Sequence, residues 1–199
     1  MENYGFFAMR ARLKWIDRWA LMRNSSDENL AEHSLEVGML AHALCVIGNE
    51  RFGKKLDPDR AAVIGMFHDV SEILTGDMPT PVKYFNRQIR TAYKDIEHDA
   101  NRRLLSLLPG DLHEQYLHIL EPGEEYAEEK LLVKGADKLS AYIKCVEERK
   151  AGNREFEIAE GITLESLHEL HLEEVETFLE EFLPAYEKTL DEIQTGVLQ

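Results

Sequence analysis

The segment that most reveals the organisation of this chain is residues 68–81, HDVSEILTGDMPTP. It follows an Asp57-Pro58 pair, which is typical of an N-cap and the first helical position. Apolar residues between Ala61 and Phe67 then recur at helical spacing. The pattern predicts a helix that opens at Pro58, ends near Gly76 and carries a histidine and two carboxylates on its last turns. The prolines that follow mark its exit loop.

Helical periodicity extends along the rest of the chain, and strand alternation is nowhere convincing. The segment Asp27-Glu28-Asn29 offers a cap for a helix over residues 27–49. Further helices are expected over 89–104, over 131–146 with a stop at Gly152, and twice within 154–192. Pro109-Gly110 and residues 121–123 are interpreted as turns. No internal repeat or linker divides the sequence, which predicts an all-α helical bundle in a single domain over residues 1–199.

Composition narrows the possible functions. The chain has 199 residues and 44% hydrophobic content, as globular proteins do, and a formal net charge of −15. Such an acidic chain repels a phosphate polymer, so no nucleic-acid polymer is expected as a partner. No continuous apolar run approaches the roughly 18 residues of a membrane span, and the N-terminus does not resemble a signal peptide. We therefore expect a cytoplasmic protein with no membrane partner, and Cys45 and Cys145 as reduced, buried thiols.

The chemistry of residues 68–81 depends on the surroundings of His68. On a continuous helix, where each residue turns by about 100°, Glu72 lies nearly above His68 and Asp69 lies at the edge of the same face. Asp69 and Glu72 both need partners if they are buried, and a divalent cation satisfies several carboxylates at once. A lone histidine is more often a core residue, and this interpretation is kept for the others: His42, His98, His113, His118, His168 and His171.

A metal ion needs more ligands than one histidine and its neighbour. The periodicity of residues 27–49 points His33 inward, and Asp137 interrupts the apolar pattern KLLVKGADKLSAYIKC. The set His33, His68, Asp69 and Asp137 combines imidazole and carboxylate without thiolate, which favours one divalent transition metal per subunit, Co, Mn, Zn, Ni or Fe. This predicts a metal-binding core over about residues 27–150, with the helices of 154–192 packing on it.

The order His33, His68-Asp69, Asp137 resembles the H…HD…D signature of the HD-domain metal-dependent phosphohydrolases, a helical superfamily. The segments HDVSEILTGDMPTPVKYF, RLKWIDRWALMRN and AEHSL are more narrowly similar to the bacterial HD-domain 5′-deoxynucleotidases, which remove phosphate from deoxyribonucleoside 5′-monophosphates. The resemblance continues through EEKLLVKGADKLSAYIKCVEE and covers nearly the whole chain. The HD pair followed by Glu72 and by Gly76-Asp77-x-Pro79-Thr80-Pro81 is its most selective part.

This resemblance implies a role for each matching position. Glu72, Asp77 and Arg18 match catalytic residues, of which Glu72 activates or orients the attacking water. The implied substrate contacts are Arg18, Trp19, Asp69, Asp77, Met78, Pro79, Thr80 and Asp137. The resemblance also implies a cytoplasmic homodimer that acts on small-molecule deoxyribonucleoside 5′-monophosphates.

Two other functions remain open from the sequence. A related HD hydrolase for a nucleoside triphosphate, a cyclic dinucleotide or an alarmone shares the metal set, although no Arg/Lys-rich stretch offers a polyphosphate clamp. A regulatory module that has lost its chemistry is the non-enzyme alternative, and the presence of all four ligands with Glu72 argues against it.

Overall fold

The computed structural model describes residues 3–83 and 85–197, apart from the side chains of Thr80, Pro81 and Val197. The all-α prediction is confirmed: within these ranges there is no strand, and an isolated antiparallel bridge joins Asp17 to Asn29. The α-helices in chain order are α1 Phe6–Arg10, α2 Leu30–Phe52, α3 Pro58–Phe67, α4 Glu72–Thr75, α5 Thr80–Lys83, α6 Arg87–Leu105, α7 Gly110–Leu120, α8 Ala127–Lys150, α9 Glu157–His168, α10 Glu173–Glu181 and α11 Leu190–Val197. Short 3-10 helices occur at Ala11–Trp15, Glu124–Tyr126, Arg154–Phe156 and Leu183–Glu187.

Helix α2 forms the centre of the larger core. The Asn29 side chain caps it by accepting hydrogen bonds from the amides of Ala31 and Glu32, while the Glu32 carboxylate accepts a hydrogen bond from the Asn29 amide. Contrary to the expectation from the sequence, this helix is long and apolar enough to cross a membrane, with a mean hydropathy of 1.3. However, 56% of its most apolar window is buried inside the protein, as in the core helix of a soluble protein.

Helix α3 begins at Pro58 as predicted, with the Asp57 side chain accepting from the Arg60 amide. The prediction that it continues to Gly76 is wrong, because it ends at Phe67. The amides of Val70, Glu72, Ile73 and Leu74 bond three residues back, as in a 3-10 turn, and this turn runs into the four-residue helix α4. Three-residue winding aligns positions three apart, so Glu72 comes into line with Asp69 rather than with His68.

The turn after α3 lies between two hydrophobic clusters. The larger cluster is built mainly from α2, α3, α8 and α10 and includes Ile64. The smaller one joins Phe6 and Val70 to the end of α6, with α7 packed against it. Val70 is buried in the smaller cluster, and this anchors the turn that carries His68 and Asp69.

Helix α8 packs across α2 and α3, and the C-terminal helices α9 and α10 contact α8 in turn. Leu167, Val175 and Phe178 from this C-terminal part enter the larger cluster. The division into one domain with a metal-binding core over 27–150 stays a prediction.

Two local predictions were wrong. Residues 110–120 form helix α7, although Pro109-Gly110 was interpreted only as a turn. The six histidines outside the proposed metal set are exposed rather than buried in the core. Cys45 and Cys145 are buried free thiols, as predicted.

The close crossing of α2 and α3 gives a test of the fold. A Cβ atom on Gly65 would lie 3.0 Å from the Gly38 Cα and 3.1 Å from the Val37 carbonyl oxygen, both of which are backbone atoms. We predict that Gly65→Ala lowers the free energy of unfolding by about 1–3 kcal/mol, measured by urea denaturation.

Gly161→Ala is the matched control, because Gly161 also lies within a helix and its added Cβ would meet nothing within 4 Å. It is expected to raise stability by up to ~1 kcal/mol through helix propensity. Equal effects of the two substitutions would contradict a tight crossing.

Candidate metal centre and substrate cavity

Two imidazole nitrogens and two carboxylates meet where α2, α8 and the turn after α3 come together. His33 Nε2 lies 3.2 Å from Asp137 Oδ1 and 3.6 Å from Asp69 Oδ2. His68 Nε2 lies 3.0 Å from Asp69 Oδ2 and 3.9 Å from Asp137 Oδ1. Both Nε2 atoms are buried, and neither has a hydrogen-bond partner among the residues that the structure describes. The structure thus brings together all four residues that the sequence proposed as metal ligands.

The other nitrogen of each ring fixes its tautomer. The Ser140 hydroxyl donates to Glu36 at 2.6 Å, so it accepts at 3.0 Å from Nδ1–H of His33. His68 Nδ1–H donates to the Gly65 carbonyl oxygen at 2.7 Å. In each ring Nδ1 is therefore held by the protein, and Nε2 is the nitrogen that faces the shared space, as in metal-binding histidines.

The charges around this space favour a cation. His33 and His68 hold the pKa of Asp137 well below its usual range, even though burial opposes its ionisation. Burial alone would lower the pKa of His68, but the nearby Asp69 carboxylate outweighs it and raises the pKa to about 9. Burial and the Arg18 guanidinium lower the pKa of His33. Two ionised carboxylates facing two imidazole Nε2 atoms form a site of the kind that binds divalent transition metals, and a cation that binds His68 must displace the proton from its Nε2.

The loop of residues 17–29 brings Arg18 and Trp19 towards this centre. It is closed at its base by hydrogen bonds from Arg18 N–H to the Glu28 carbonyl and from the Leu30 amide to the Ile16 carbonyl. One oxygen of Glu28 accepts from Arg18 Nη1 at 2.7 Å and from Trp19 Nε1 at 3.1 Å. A single carboxylate therefore orients both side chains.

The far end of this loop is anchored by a buried carboxylate on α8. Glu148 accepts from the amides of Ser25 and Ser26 and forms an ion pair with Lys144. Trp19 has a φ of +57°, a left-handed conformation that is strained for a bulky residue. Strain of this kind persists only where the surroundings impose it, and Trp19 is bonded to Glu28 and packs against Phe156 at a ring-centroid distance of 5.3 Å.

Glu72 is buried one turn beyond Asp69. Burial, with the Asp69 charge second, raises its pKa to about 8. Its Oε1 accepts from the Tyr93 hydroxyl at 3.4 Å and lies 3.6 Å from Lys83 Nζ. Its Oε2 is buried without a hydrogen-bond partner among the residues described. Glu72 thus has one oxygen held by protein and one available to a ligand.

The loop after α4 turns at Gly76, whose φ of +74° favours glycine. Asp77 follows. Burial raises the pKa of its carboxyl group, and the nearby Arg18 guanidinium offsets only part of this effect. The Pro79 carbonyl oxygen accepts from the amides of Val82 and Lys83 and so opens α5. The Thr80 side chain lies outside what the structure describes.

Arg18, Glu72 and Asp77 line one cavity of about 390 Å³. It includes seven residues that the sequence proposed, and His33 lies behind them in direct contact with Asp137. The seven are Arg18, Trp19, Asp69, Glu72, Asp77, Met78 and Asp137. His68 lines a neighbouring cavity of about 300 Å³, which also reaches Asp137. Pro79 is half-buried in the loop and is not among the residues that line either cavity.

Several residues of the site were missed from the sequence. Ser140 lies three positions after Asp137, and Glu36 lies three positions after His33. Residues three apart share one face of a helix, so this spacing could have identified both as neighbours of the proposed ligands. No sequence pattern indicated the role of Glu28, because the segment Asp27-Glu28-Asn29 was interpreted only as a helix cap. The cavity lining also includes Lys83 from α5 and residues of α8 and α9, which only the tertiary packing brings to the site.

Comparison with known proteins identifies a family that this chain matches. A family model described as "5′-deoxynucleotidase YfbR-like" matches residues 5–186. A 5′-deoxynucleotidase of Vibrio cholerae is 49% identical over 97% of this chain and 100% of that protein. The 5′-deoxynucleotidase YfbR of Salmonella typhi is 46% identical over 97% of each chain.

Solved structures agree on the fold. An HD-domain phosphohydrolase from Listeria innocua superimposes with a TM-score of 0.79 at 24% identity, covering 97% of this chain and 96% of that one. A cyanophage S-2L HD phosphohydrolase, solved bound to dA and one catalytic Zn²⁺ ion, gives a TM-score of 0.62 at 19% identity over 89% of this chain and 95% of that one. With the family model spanning most of its length and relatives near half-identical from end to end, this chain belongs to the 5′-deoxynucleotidase YfbR-like family.

Proposed function

We propose that this protein is a metal-dependent 5′-deoxynucleotidase that hydrolyses deoxyribonucleoside 5′-monophosphates to deoxyribonucleosides and phosphate. The family assignment and relatives named 5′-deoxynucleotidase support this activity. The observation that carries it is the pair of buried Nε2 atoms of His33 and His68 facing Asp69 and Asp137 beside the cavity that holds Arg18 and Trp19. The named activity of the relatives favours a monophosphate over triphosphates, cyclic dinucleotides and alarmones.

His33, His68, Asp69 and Asp137 are proposed to hold one divalent transition metal per subunit. Two unpartnered nitrogens and two carboxylates fit Co, Mn, Zn, Ni or Fe, and Zn²⁺ is the ion named for the cyanophage protein. When bound, such an ion would lower the pKa of a water molecule and neutralise charge on the phosphoryl oxygens. The Asp137 side chain is 41% exposed, so the centre is open towards the substrate.

Arg18 and Glu72 are proposed to act on the phosphate. One terminal nitrogen of Arg18 donates to Glu28, and the other N–H groups of the guanidinium remain available to phosphoryl oxygens. Glu72 accepts the proton of the attacking water at its unpartnered Oε2, because burial makes it a stronger base than an exposed carboxylate. The water oxygen bonds to phosphorus as the P–O5′ bond breaks, and the leaving O5′ takes up the proton that Glu72 accepted, so that no net proton stays on the protein.

Trp19 and Asp77 are proposed to hold the sugar. The Asp77 carboxylate can accept a hydrogen bond from the 3′-hydroxyl, while the indole ring presents an apolar face to C2′. The Trp19 N–H is already bound to Glu28, so the ring offers no partner to a 2′-hydroxyl. A hydroxyl buried there without a partner is disfavoured. Met78, Pro79 and Thr80 would complete this side of the pocket.

We also propose a cytoplasmic homodimer without membrane or nucleic-acid polymer partners. The net charge of −15 supports the exclusion of phosphate polymers. Leu35 and Met39 lie exposed one turn apart on α2 and offer apolar surface to a second subunit.

The hydrogen bond from Ser140 to His33 gives a test of the metal site. Removing it in Ser140→Ala frees the His33 ring, and we expect affinity for Co²⁺ or Zn²⁺ to fall about 10–100-fold in equilibrium dialysis. Ser106→Ala, at the exposed end of α6, is the control and should leave metal affinity unchanged. Unaltered affinity in Ser140→Ala would argue against His33 as a ligand.

Glu72 should separate chemistry from binding. Glu72→Gln keeps the shape of the side chain but removes the proton acceptor, so kcat for dAMP should fall at least ~100-fold while metal content and dAMP affinity persist. Glu97→Gln is the control, because Glu97 also pairs with Lys83 at 3.1 Å but is not among the cavity residues. Loss of metal together with activity would instead make Glu72 a ligand.

Phosphate release from a panel of nucleotides tests the substrate. With Co²⁺ or Mn²⁺ added, we expect a strong preference for dAMP over AMP, no hydrolysis of 3′-monophosphates, and loss of all activity on chelation. Trp19→Ala should relax the dAMP-to-AMP ratio of kcat/KM more than it slows dAMP hydrolysis. Trp15→Ala, whose side chain is exposed and lies outside the cavity lining, should leave the ratio unchanged. Comparable kcat/KM for dAMP and AMP in the unmodified enzyme would contradict the sugar assignment.

A further inference from the structure

The discrimination proposed for the sugar requires that the indole ring of Trp19 stays in place. A mobile ring would make room for a 2′-hydroxyl, so only a rigid wall can disfavour it. Trp19 is not rigid by itself, because its φ of +57° is strained and a relaxed backbone conformation is open to it. Other side chains must therefore supply the rigidity.

Phe156 packs against this indole ring from outside the substrate cavity. The two ring centroids are 5.3 Å apart and the interplanar angle is 61°, an edge-to-face arrangement that aromatic pairs favour. Phe156 is fully buried and is not among the described residues that line the cavity, so it can act on a bound nucleotide only through Trp19. Glu28 holds the Nε1 edge of the indole, and Phe156 supports the ring itself.

A buried ion pair on α8 holds Phe156 in turn. Lys144 and Glu148 form this pair one turn apart, with side chains that are only 6% and 1% exposed. The ammonium group of Lys144 lies 5.7 Å from the centroid of the Phe156 ring. Asn153 caps the short helix that carries Phe156 and donates to Glu148 Oε2 at 2.7 Å. Because Glu148 also anchors the loop of residues 17–29, it ties both aromatic residues to one helix.

The same helix supplies Asp137, one of the proposed metal ligands. Lys144 lies seven residues after Asp137, which corresponds to about 10 Å along the axis of α8. A hydrogen-bonded helix keeps this spacing, so the support of Trp19 stands at a fixed distance from the candidate metal centre. The sugar is proposed to bind between the two.

We propose that Phe156, held by the Lys144–Glu148 pair, is a positioning residue that determines selectivity for the deoxyribose sugar by keeping Trp19 rigid. This inference rests on the proposed nucleotidase function and extends it to side chains outside the cavity. It implies that selectivity can be lost while catalysis on the deoxy substrate persists.

Phe156→Leu keeps an apolar side chain but removes the ring that supports the indole. We expect the dAMP-to-AMP ratio of kcat/KM to fall about tenfold, mainly through faster AMP hydrolysis, with kcat for dAMP changed less than about twofold. Phe178→Leu is the matched control, because Phe178 is also buried but packs in the larger hydrophobic cluster. It should leave the ratio unchanged, and an unchanged ratio in Phe156→Leu would overturn the inference.

Combined substitutions test whether Phe156 acts through Trp19. In a Trp19→Ala background no indole is left to support, so Phe156→Leu should lower the ratio no further. A further fall would overturn the route through the indole. Asn153→Ala, a milder change that removes one hydrogen bond from Glu148, should lower the ratio in the same direction by a smaller factor and serves if Phe156→Leu does not fold.

Fluorescence and nucleoside binding separate this inference from the proposed function. Trp15 and Trp19 are the two tryptophans of the chain, so Trp15→Phe leaves Trp19 as the single reporter. In this background we expect Phe156→Leu to increase acrylamide quenching of Trp19 and to weaken the calorimetric preference for deoxyadenosine over adenosine. These two changes without any phosphate release would overturn only the nucleotidase assignment. Unchanged quenching and an unchanged binding preference would overturn the positioning role alone.

Discussion

The backbones of α2 and α3 approach so closely at Gly38 and Gly65 that a Cβ atom on either would lie about 3 Å or less from the facing helix. His33 precedes this crossing on α2, His68 follows it directly after the end of α3, and their ring centroids are 5.2 Å apart. The end of α3 at Phe67 then allows a tighter turn to point Asp69 at the same space, while α8 supplies Asp137 from across both helices. The spacing of the candidate metal ligands is thus set by a backbone contact and not by the ligands themselves. A cation that bound here would meet groups that the core already holds in place, which would limit the reorganisation that binding requires.

Around this rigid centre, buried carboxylates hold the less regular parts of the chain. Glu28 fixes Arg18 and Trp19 from within their own loop, and Glu148 fixes the far end of that loop from α8. Each of these carboxylates accepts several hydrogen bonds or an ion pair, which offsets the cost of its burial. Glu72 differs from them because one of its oxygens has no partner among the described residues and burial raises its pKa. A carboxylate left partly unsatisfied beside satisfied ones is a mark of a functional group rather than a structural one.

The sequence predicted most of what depends on local signals. The caps at Asn29 and Asp57-Pro58 were found where helices begin, and Gly152 has the positive φ expected just beyond the end of α8. The break after Phe67 was missed, because the apolar pattern continues through a turn whose winding changes from four residues to three. Helix α7 was missed because Pro109-Gly110 serves as a turn and a helix start at once.

The candidate site was predictable where an ionisable side chain stands at an inward-facing position of an apolar helical pattern, as at His33 and Asp137. Their supports were not predicted: the role of Glu28 depends on a loop conformation, and the contribution of α9 to the cavity depends on how the C-terminal helices pack on α8. The six histidines outside the metal set were assigned to the core from the general tendency of a lone histidine, and they are exposed because that tendency carries no information on which side of a helix faces water.

The central claim is that one divalent ion is held by two imidazole nitrogens and by carboxylate oxygens at the crossing of α2, α3 and α8. X-ray absorption spectroscopy of the Zn²⁺-loaded protein, combined with metal analysis, tests it most directly. The account predicts one ion per chain, two imidazole nitrogens at about 2.0–2.1 Å, oxygen as the other ligands and no sulfur, with one imidazole lost in His33→Ala. A sulfur shell, a shell without imidazole, or an imidazole count unchanged in His33→Ala would contradict it.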